Sequence, residues 1–92
     1  MIKGFRCADA QSLFETGKSR RFAQVADVAM RKLAQLHAAE SLGFLASPPG
    51  NRLEPLRGDR AGQYSIRING QYRLCFQWTP EGPSAVEIVD YH

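Results

Sequence analysis

Three segments in the second half of the chain alternate apolar and polar residues, and this pattern constrains the fold most. Tyr64, Ile66 and Ile68 alternate with Ser65 and Arg67, and Tyr72, Leu74, Phe76 and Trp78 alternate with Arg73, Cys75 and Gln77. A period of two marks a strand with one buried face. A third strand is expected over Ala85 to Tyr91, where β-branched residues crowd together. Asn69-Gly70 is the strongest short hairpin signal in the sequence, and Pro80-Glu81-Gly82-Pro83 predicts a longer turn into the last strand. The three strands should form an antiparallel meander with one apolar face, and that face needs a cover.

The first half of the chain supplies the cover. Ile2 to Phe5 reads as a short strand. A helix carrying Leu13 and Phe14 follows, with Asp9 or Ser12 as its expected cap. The basic run Thr16 to Arg21 breaks it and reads as a mobile, solvated loop. From Phe22 to Ala39 the residues Phe22, Val25, Ala26, Ala29, Leu33 and Leu36 form one apolar stripe, which predicts a long amphipathic helix. His37, near its end, has no partner at metal-ligand spacing and is expected at the surface. Ser41 to Leu45 should end the helical region, and Pro48-Pro49-Gly50-Asn51 should be a loop. The fold class is α+β: a small antiparallel sheet packed on one face by two N-terminal helices. The 92 residues make a single domain, 1–92, with a modest core.

Charge narrows the function. The formal net charge is +3, and of twelve cations only Lys3, Lys18 and Lys32 are lysine. Arginine suits forked contacts to phosphate and carboxylate. Cys7 and Cys75 form neither a CxxC nor a metal spacing. No secretory signal and no apolar run of membrane-spanning length is evident, so a reduced, cytoplasmic protein is expected, with no membrane partner.

The polar sheet face is the candidate site. Arg52, Arg57, Arg60, Arg67 and Arg73 lie in one stretch, with Glu54 among them, and the chain ends on Asp90-Tyr91-His92. This set lacks a metal cluster, a glycine-rich phosphate loop and a Ser-His-Asp order, and no cofactor is expected. It suits a phosphodiester: arginines hold the phosphate and stabilise its developing charge, while a base takes a ribose 2′-hydroxyl proton and an acid protonates the leaving 5′ oxygen. A face that merely binds an acidic partner is the alternative. Alternation also points Asp90 and His92 inward with Val86 and Ile88, while Tyr91 points out, so a shared site needs a bent strand end or an open edge.

The run Arg-Leu-Glu-Pro-Leu-Arg-Gly-Asp-Arg-Ala-Gly at 52–62, then Tyr64-Ser65-Ile66-Arg67, Tyr72-Arg73-Leu74-Cys75-Phe76 and the terminal Asp-Tyr-His together resemble the HigB-type toxins of the RelE/ParE superfamily. The opening Met1-Ile2-Lys3-Gly4-Phe5 and the length also match. The GraT-like subgroup, which shares Pro-Pro-Gly-Asn-Arg-Leu-Glu, is the most similar. The resemblance implies a RelE-like fold and a toxin of a bacterial type II toxin–antitoxin pair. It implies a ribosome-dependent mRNA endonuclease that works by 2′-hydroxyl attack without a metal. The implied partners are mRNA on the ribosome and a HigA-type helix-turn-helix antitoxin, with operator DNA reached only through the antitoxin. By position, Arg57 falls where these toxins carry a catalytic basic residue, commonly lysine, and Arg73 falls on their phosphate-binding arginine. Asp90, Tyr91 and His92 fall on their functional C-terminal trio. Glu54 departs from the histidine that some HigB toxins carry. Glu54 or His92 is then the base, Tyr91 or the other of the two assists the acid step, and Asp90 orients Tyr91 or His92. Arg57 and Arg73 clamp the scissile phosphate, with Arg67 a weaker candidate for the same task; Arg57 stabilises charge but does not trade a proton. Arg52, Arg60 and Arg67 are expected to contact RNA. A non-nucleolytic toxin of the same fold, acting on gyrase or indirectly on translation, is the rival reading.

Overall fold

The structure, a computed structural model, describes residues 1–90. Three helices, α1 (Ala8–Thr16), α2 (Ala26–Ala38) and α3 (Leu42–Ala46), precede four strands: β1 (Glu54–Pro55), β2 (Gln63–Arg67), β3 (Tyr72–Thr79) and β4 (Gly82–Asp90). The sheet is antiparallel, in the order β1-β2-β3-β4. The expected meander is present, with a two-residue strand added at its edge.

The apolar stripe of α2 explains where the helix lies. Ala29, Leu33 and Leu36 are fully buried, and they meet Ile66, Leu74, Phe76 and Val86 of the sheet and Ala10 and Leu13 of α1 in one core. The long helix expected over 22–39 begins late. Phe22 and Val25 lie outside the α-helical backbone region, and Ala23–Val25 is a single 3₁₀ turn before α2. Phe22 nonetheless enters the core and meets Tyr72 edge-on at 5.5 Å. The segment expected to end the helical region is a helix of its own. Ser41 is its N-cap, accepting from the Phe44 N–H at 3.3 Å, and Leu45 is fully buried.

Neither expected cap closes α1. Cys7 is the N-cap and contributes no side-chain bond. Asp9 sits in the first turn, where a carboxylate faces the positive helix end, and pairs with Arg21 at 3.5 Å. Gly17, at φ 77, ends the helix by donating its N–H to the Leu13 carbonyl, a left-handed cap that favours glycine. The basic run beyond it is tied back. Ser12 Oγ donates to the Lys18 carbonyl at 3.1 Å, and the Lys18 N–H donates to Thr16 Oγ1 at 3.2 Å.

The short strand expected over Ile2 to Phe5 is not formed; the segment runs parallel to β4 without becoming part of the sheet. Lys3 and Arg6 donate to the carbonyls of Pro83 and Val86, Val86 donates to that of Gly4, and only the Phe5–Val86 bridge registers. Close approach requires Gly82: a Cβ there would lie 2.5 Å from the Met1 carbonyl oxygen. His37 is half-buried rather than solvated. Its Nδ1 accepts the Ile2 N–H at 3.2 Å and its ring lies 5.1 Å from Phe14.

Both turns of the meander differ from expectation in kind, though not in place. Neither Asn69 nor Gly70 has a positive φ. Instead Asn69 Oδ1 accepts the N–H groups of Gln71 and Tyr72, so a side chain closes the hairpin. Between β3 and β4 the turn is only Pro80-Glu81, because Thr79 already pairs with Gly82. A bulge then shifts the register between Cys75 and Gln77, with Ala85 at φ 52 as the extra residue on β4.

Candidate active site

Cross-strand register builds the site. Glu54 pairs with Ser65, Ser65 with Cys75, and Cys75 with Glu87, so one row crosses all four strands on one face. The adjacent row is Arg67, Arg73 and Val89. This is the face the sequence marks as polar, but its centre is closed: Ser65 and Cys75 are fully buried. The arm from Arg52 to Arg60 makes the cover. After β1 the Leu56 N–H donates to the Gln63 carbonyl, Leu56 is buried, and Gly58–Arg60 makes a 3₁₀ turn that starts at φ 64. Arg60 then spans the face, bonding Gln63 Oε1 at 3.3 Å and Glu87 at 2.8 Å.

Arg73 is the centre of the arrangement. Its side chain is 11% exposed. Its Nε–H donates to Ser65 Oγ at 2.7 Å, and Nη2 donates to the Arg52 carbonyl at 2.6 Å. Glu54 Oε1 lies 3.7 Å from Nε, and that carboxylate is half exposed. Arg67 faces Arg73 directly across the strands. Like charges in that register repel, and an anion bound between them would relieve the repulsion. Arg52, Arg57 and Arg67 enter no ion pair among the described residues. Among the described residues the rim therefore carries positive charge without ion-pair partners beside the one carboxylate of Glu54. An open hollow of about 490 Å³ runs along Glu54, Pro55, Leu56 and Arg57.

The sequence-predicted residues divide accordingly. Glu54, Arg67 and Arg73 share this face, with Arg57 on its wall. Arg52 reaches Arg73 through its backbone carbonyl, and Arg60 is engaged by Glu87. Asp90 pairs in register with Tyr72, one position past Arg73–Val89, and so belongs by alternation to the helix side. There Gln71 Nε2 donates to Asp90 Oδ2 at 3.1 Å. Tyr91 and His92 lie outside the described residues. Sequence reasoning passed over Ser65 and Glu87. Strand parity was the available signal for both: Ser65 shares the alternation of Arg67, and Glu87 lies between the inward-pointing Val86 and Ile88.

Cys75 forms the floor between these charges. Burial above all pushes its thiol up to about 11; Glu87 and Glu54 add to the rise, while Arg60 and Arg73 oppose it. The folded protein thus holds this proton more tightly than the unfolded chain. Cys75 lowers stability progressively as pH rises from 9.0 to about 11 and has no such effect below. A thiol this buried and this basic is a poor nucleophile. A disulfide reagent at pH 8 is expected to label the half-buried Cys7 in the native protein and Cys75 only after denaturation; mass mapping of the labelled peptides checks this.

The architecture places the chain among the RelE-like toxin folds. A YoeB/ParE toxin from Agrobacterium tumefaciens superimposes with a TM-score of 0.51 over 99% of this chain and 98% of that one, at 19% identity. Residues 3–92 match the HigB-like toxin family, described as RelE-like toxins of the type II toxin–antitoxin system HigB, and the chain belongs to that family. It is 39% identical over 84 residues to Toxin HigB-1 of Vibrio cholerae serotype O1, covering 89% of this chain and 87% of that protein. It is 32% identical over 93 residues to a Proteus vulgaris protein named Endoribonuclease HigB, covering all of both. Membership implies an antitoxin partner. Among the described residues no helix is long and apolar enough to cross a membrane.

Proposed function

We propose that this chain is an endoribonuclease toxin that cuts mRNA on the ribosome and so arrests translation. The observation that carries the reading is the pairing of a half-exposed carboxylate, Glu54, with a nearly buried arginine, Arg73, on an arginine-rimmed face. Arg73 and Arg67 grip the scissile phosphate, and Arg57 stabilises charge on its oxygens. Glu54, 3.7 Å from the arginine that holds the phosphate, takes the 2′-hydroxyl proton. The 2′ oxygen attacks phosphorus, the bond to the 5′ oxygen breaks, and a 2′,3′-cyclic phosphate remains. Tyr91 or His92 supplies the leaving oxygen's proton, and Asp90, bonded to Gln71 on the helix side, orients them from beneath the strand end; Arg52 extends the RNA-binding rim. Arg60 braces the arm through Glu87 and offers RNA only its exposed side. A HigA-type helix-turn-helix antitoxin is the partner that silences the site and carries the pair to operator DNA.

The test is primer extension on a defined mRNA with 70S ribosomes and purified protein, the RNA fixed on the ribosomes before chelation with EDTA. In-frame cuts that persist in EDTA and end in a cyclic phosphate are expected. Growth arrest by the protein without any cut would overturn the nuclease reading and favour a toxin that acts by binding.

A further inference from the structure

Ser65 is not among the residues singled out from the sequence, yet it is fully buried and its hydroxyl accepts the Arg73 Nε–H at 2.7 Å. A second acceptor, the Arg52 carbonyl, takes Arg73 Nη2 at 2.6 Å. The two bonds meet the same side of a planar guanidinium, so together they fix both its position and the tilt of its plane. The second acceptor is itself held in an unusual place. Arg52 has φ 47 and ψ 54, a left-handed backbone that side chains other than glycine rarely adopt. Its neighbour Asn51 maintains it. Asn51 is fully buried, its Nδ2 donates to Gln35 Oε1 and to the Leu45 carbonyl, both at 3.0 Å, and its Oδ1 accepts from Lys32 Nζ. The turn is thereby tied to α2 and α3, and its carbonyl is aimed at Arg73.

We propose that Ser65 is the positioning residue for Arg73, acting with the Arg52 carbonyl that buried Asn51 holds in place. The inference rests on the phosphate-binding role given to Arg73 above and deepens it. Arginine recognises phosphate with two parallel N–H bonds, and this works only if the guanidinium plane is already set. A long side chain left to choose among rotamers would lose that geometry, and displacement by about 1 Å can slow a reaction about 10²-fold. Serine suits this place in the row, because its short side chain is fully buried there and brings a hydroxyl to the Arg73 Nε–H, which alanine lacks.

A double-mutant cycle tests it, with wild type, Ser65→Ala, Arg73→Lys and the double variant compared by initial cleavage rate on ribosome-bound mRNA. Ser65→Ala is expected to lose about tenfold in rate, the usual worth of one well-placed hydrogen bond. The loss should vanish in the Arg73→Lys background, since lysine offers no Nε–H to Ser65. Equal losses in both backgrounds, or no loss in the single variant, would overturn the proposal. A second measurement separates this from the nuclease reading. The exchange rate of the Arg73 Nε–H, read by ¹⁵N NMR, needs no activity. Slow exchange in wild type and fast exchange in Ser65→Ala support the positioning role even in a protein that does not cut RNA; unchanged exchange refutes it.

Discussion

Replacing Arg73 with alanine is expected to lower mRNA cleavage by about 10²–10³-fold, the usual effect of removing one donor aimed at developing charge, and to release cells from growth arrest on induction. The argument starts from burial. A guanidinium with 11% of its side chain exposed is held only where its bonds repay desolvation. Ser65, the Arg52 carbonyl and Glu54 share that task. Truncation at this position has a second effect, because the buried Ser65 hydroxyl loses a donor, a penalty of about 1–3 kcal/mol for a buried group left unsatisfied. The measurement must therefore separate function from folding. Thermal unfolding of the purified variant, alongside its cleavage rate, does so. A variant that remains folded at the assay temperature and still cleaves at the wild-type rate would remove Arg73 from the reaction. Arg73→Lys retains the charge but not the fork, and should lie between alanine and wild type.

The elements that the sequence made legible are those set by local periodicity. Alternation over Tyr64–Ile68 and Tyr72–Trp78 is a property of each strand alone, so the sheet, its buried face and the placing of Arg67 and Arg73 together could be read directly. The resemblance of the Leu-Arg-Gly-Asp-Arg segment gave the family, now shown by the match over 3–92. Features that depend on distant partners were not legible. β1 is two residues long and contains a proline, which gives no strand signal, and it exists because β2 offers an edge. Ala85 carries no sign that it will take a left-handed backbone and shift the register. His37 looked solvated because the N-terminal segment that covers it lies thirty-five positions away in the chain. Arg60 looked like one more cation of a basic run until Glu87, from another strand, engaged it. The same reasoning explains Ser65. Its type is common on exposed strand faces, and only the folded arm above it turns it into a buried acceptor.

Glu54→Gln is the second decisive change, because two roles for this carboxylate predict opposite results. As a general base it contributes about 10²–10⁴-fold, and the amide, which has the same shape but cannot accept the proton, should lose most of that. As a mere counter-charge to Arg73 it would compete with the phosphate for the same guanidinium, and the amide would then bind RNA more tightly and cleave as fast or faster. The geometry favours the base. At 3.7 Å the carboxylate is near Arg73 without seizing it in a short forked pair, and it is half exposed at the mouth of the hollow where a ribose would sit. Binding to a 2′-deoxy analogue, which cannot be cut, isolates affinity from chemistry. The expected outcome is affinity held or slightly raised with cleavage down at least about 10²-fold; retained cleavage with tighter binding would reassign Glu54 to charge balance. Glu54→His adds a signature that neither structural disturbance nor charge loss can imitate. Imidazole is a competent base when neutral, so cleavage should return above its ordinary pKa of about 6.5 and fall away below it, giving the variant an acid limb in that range.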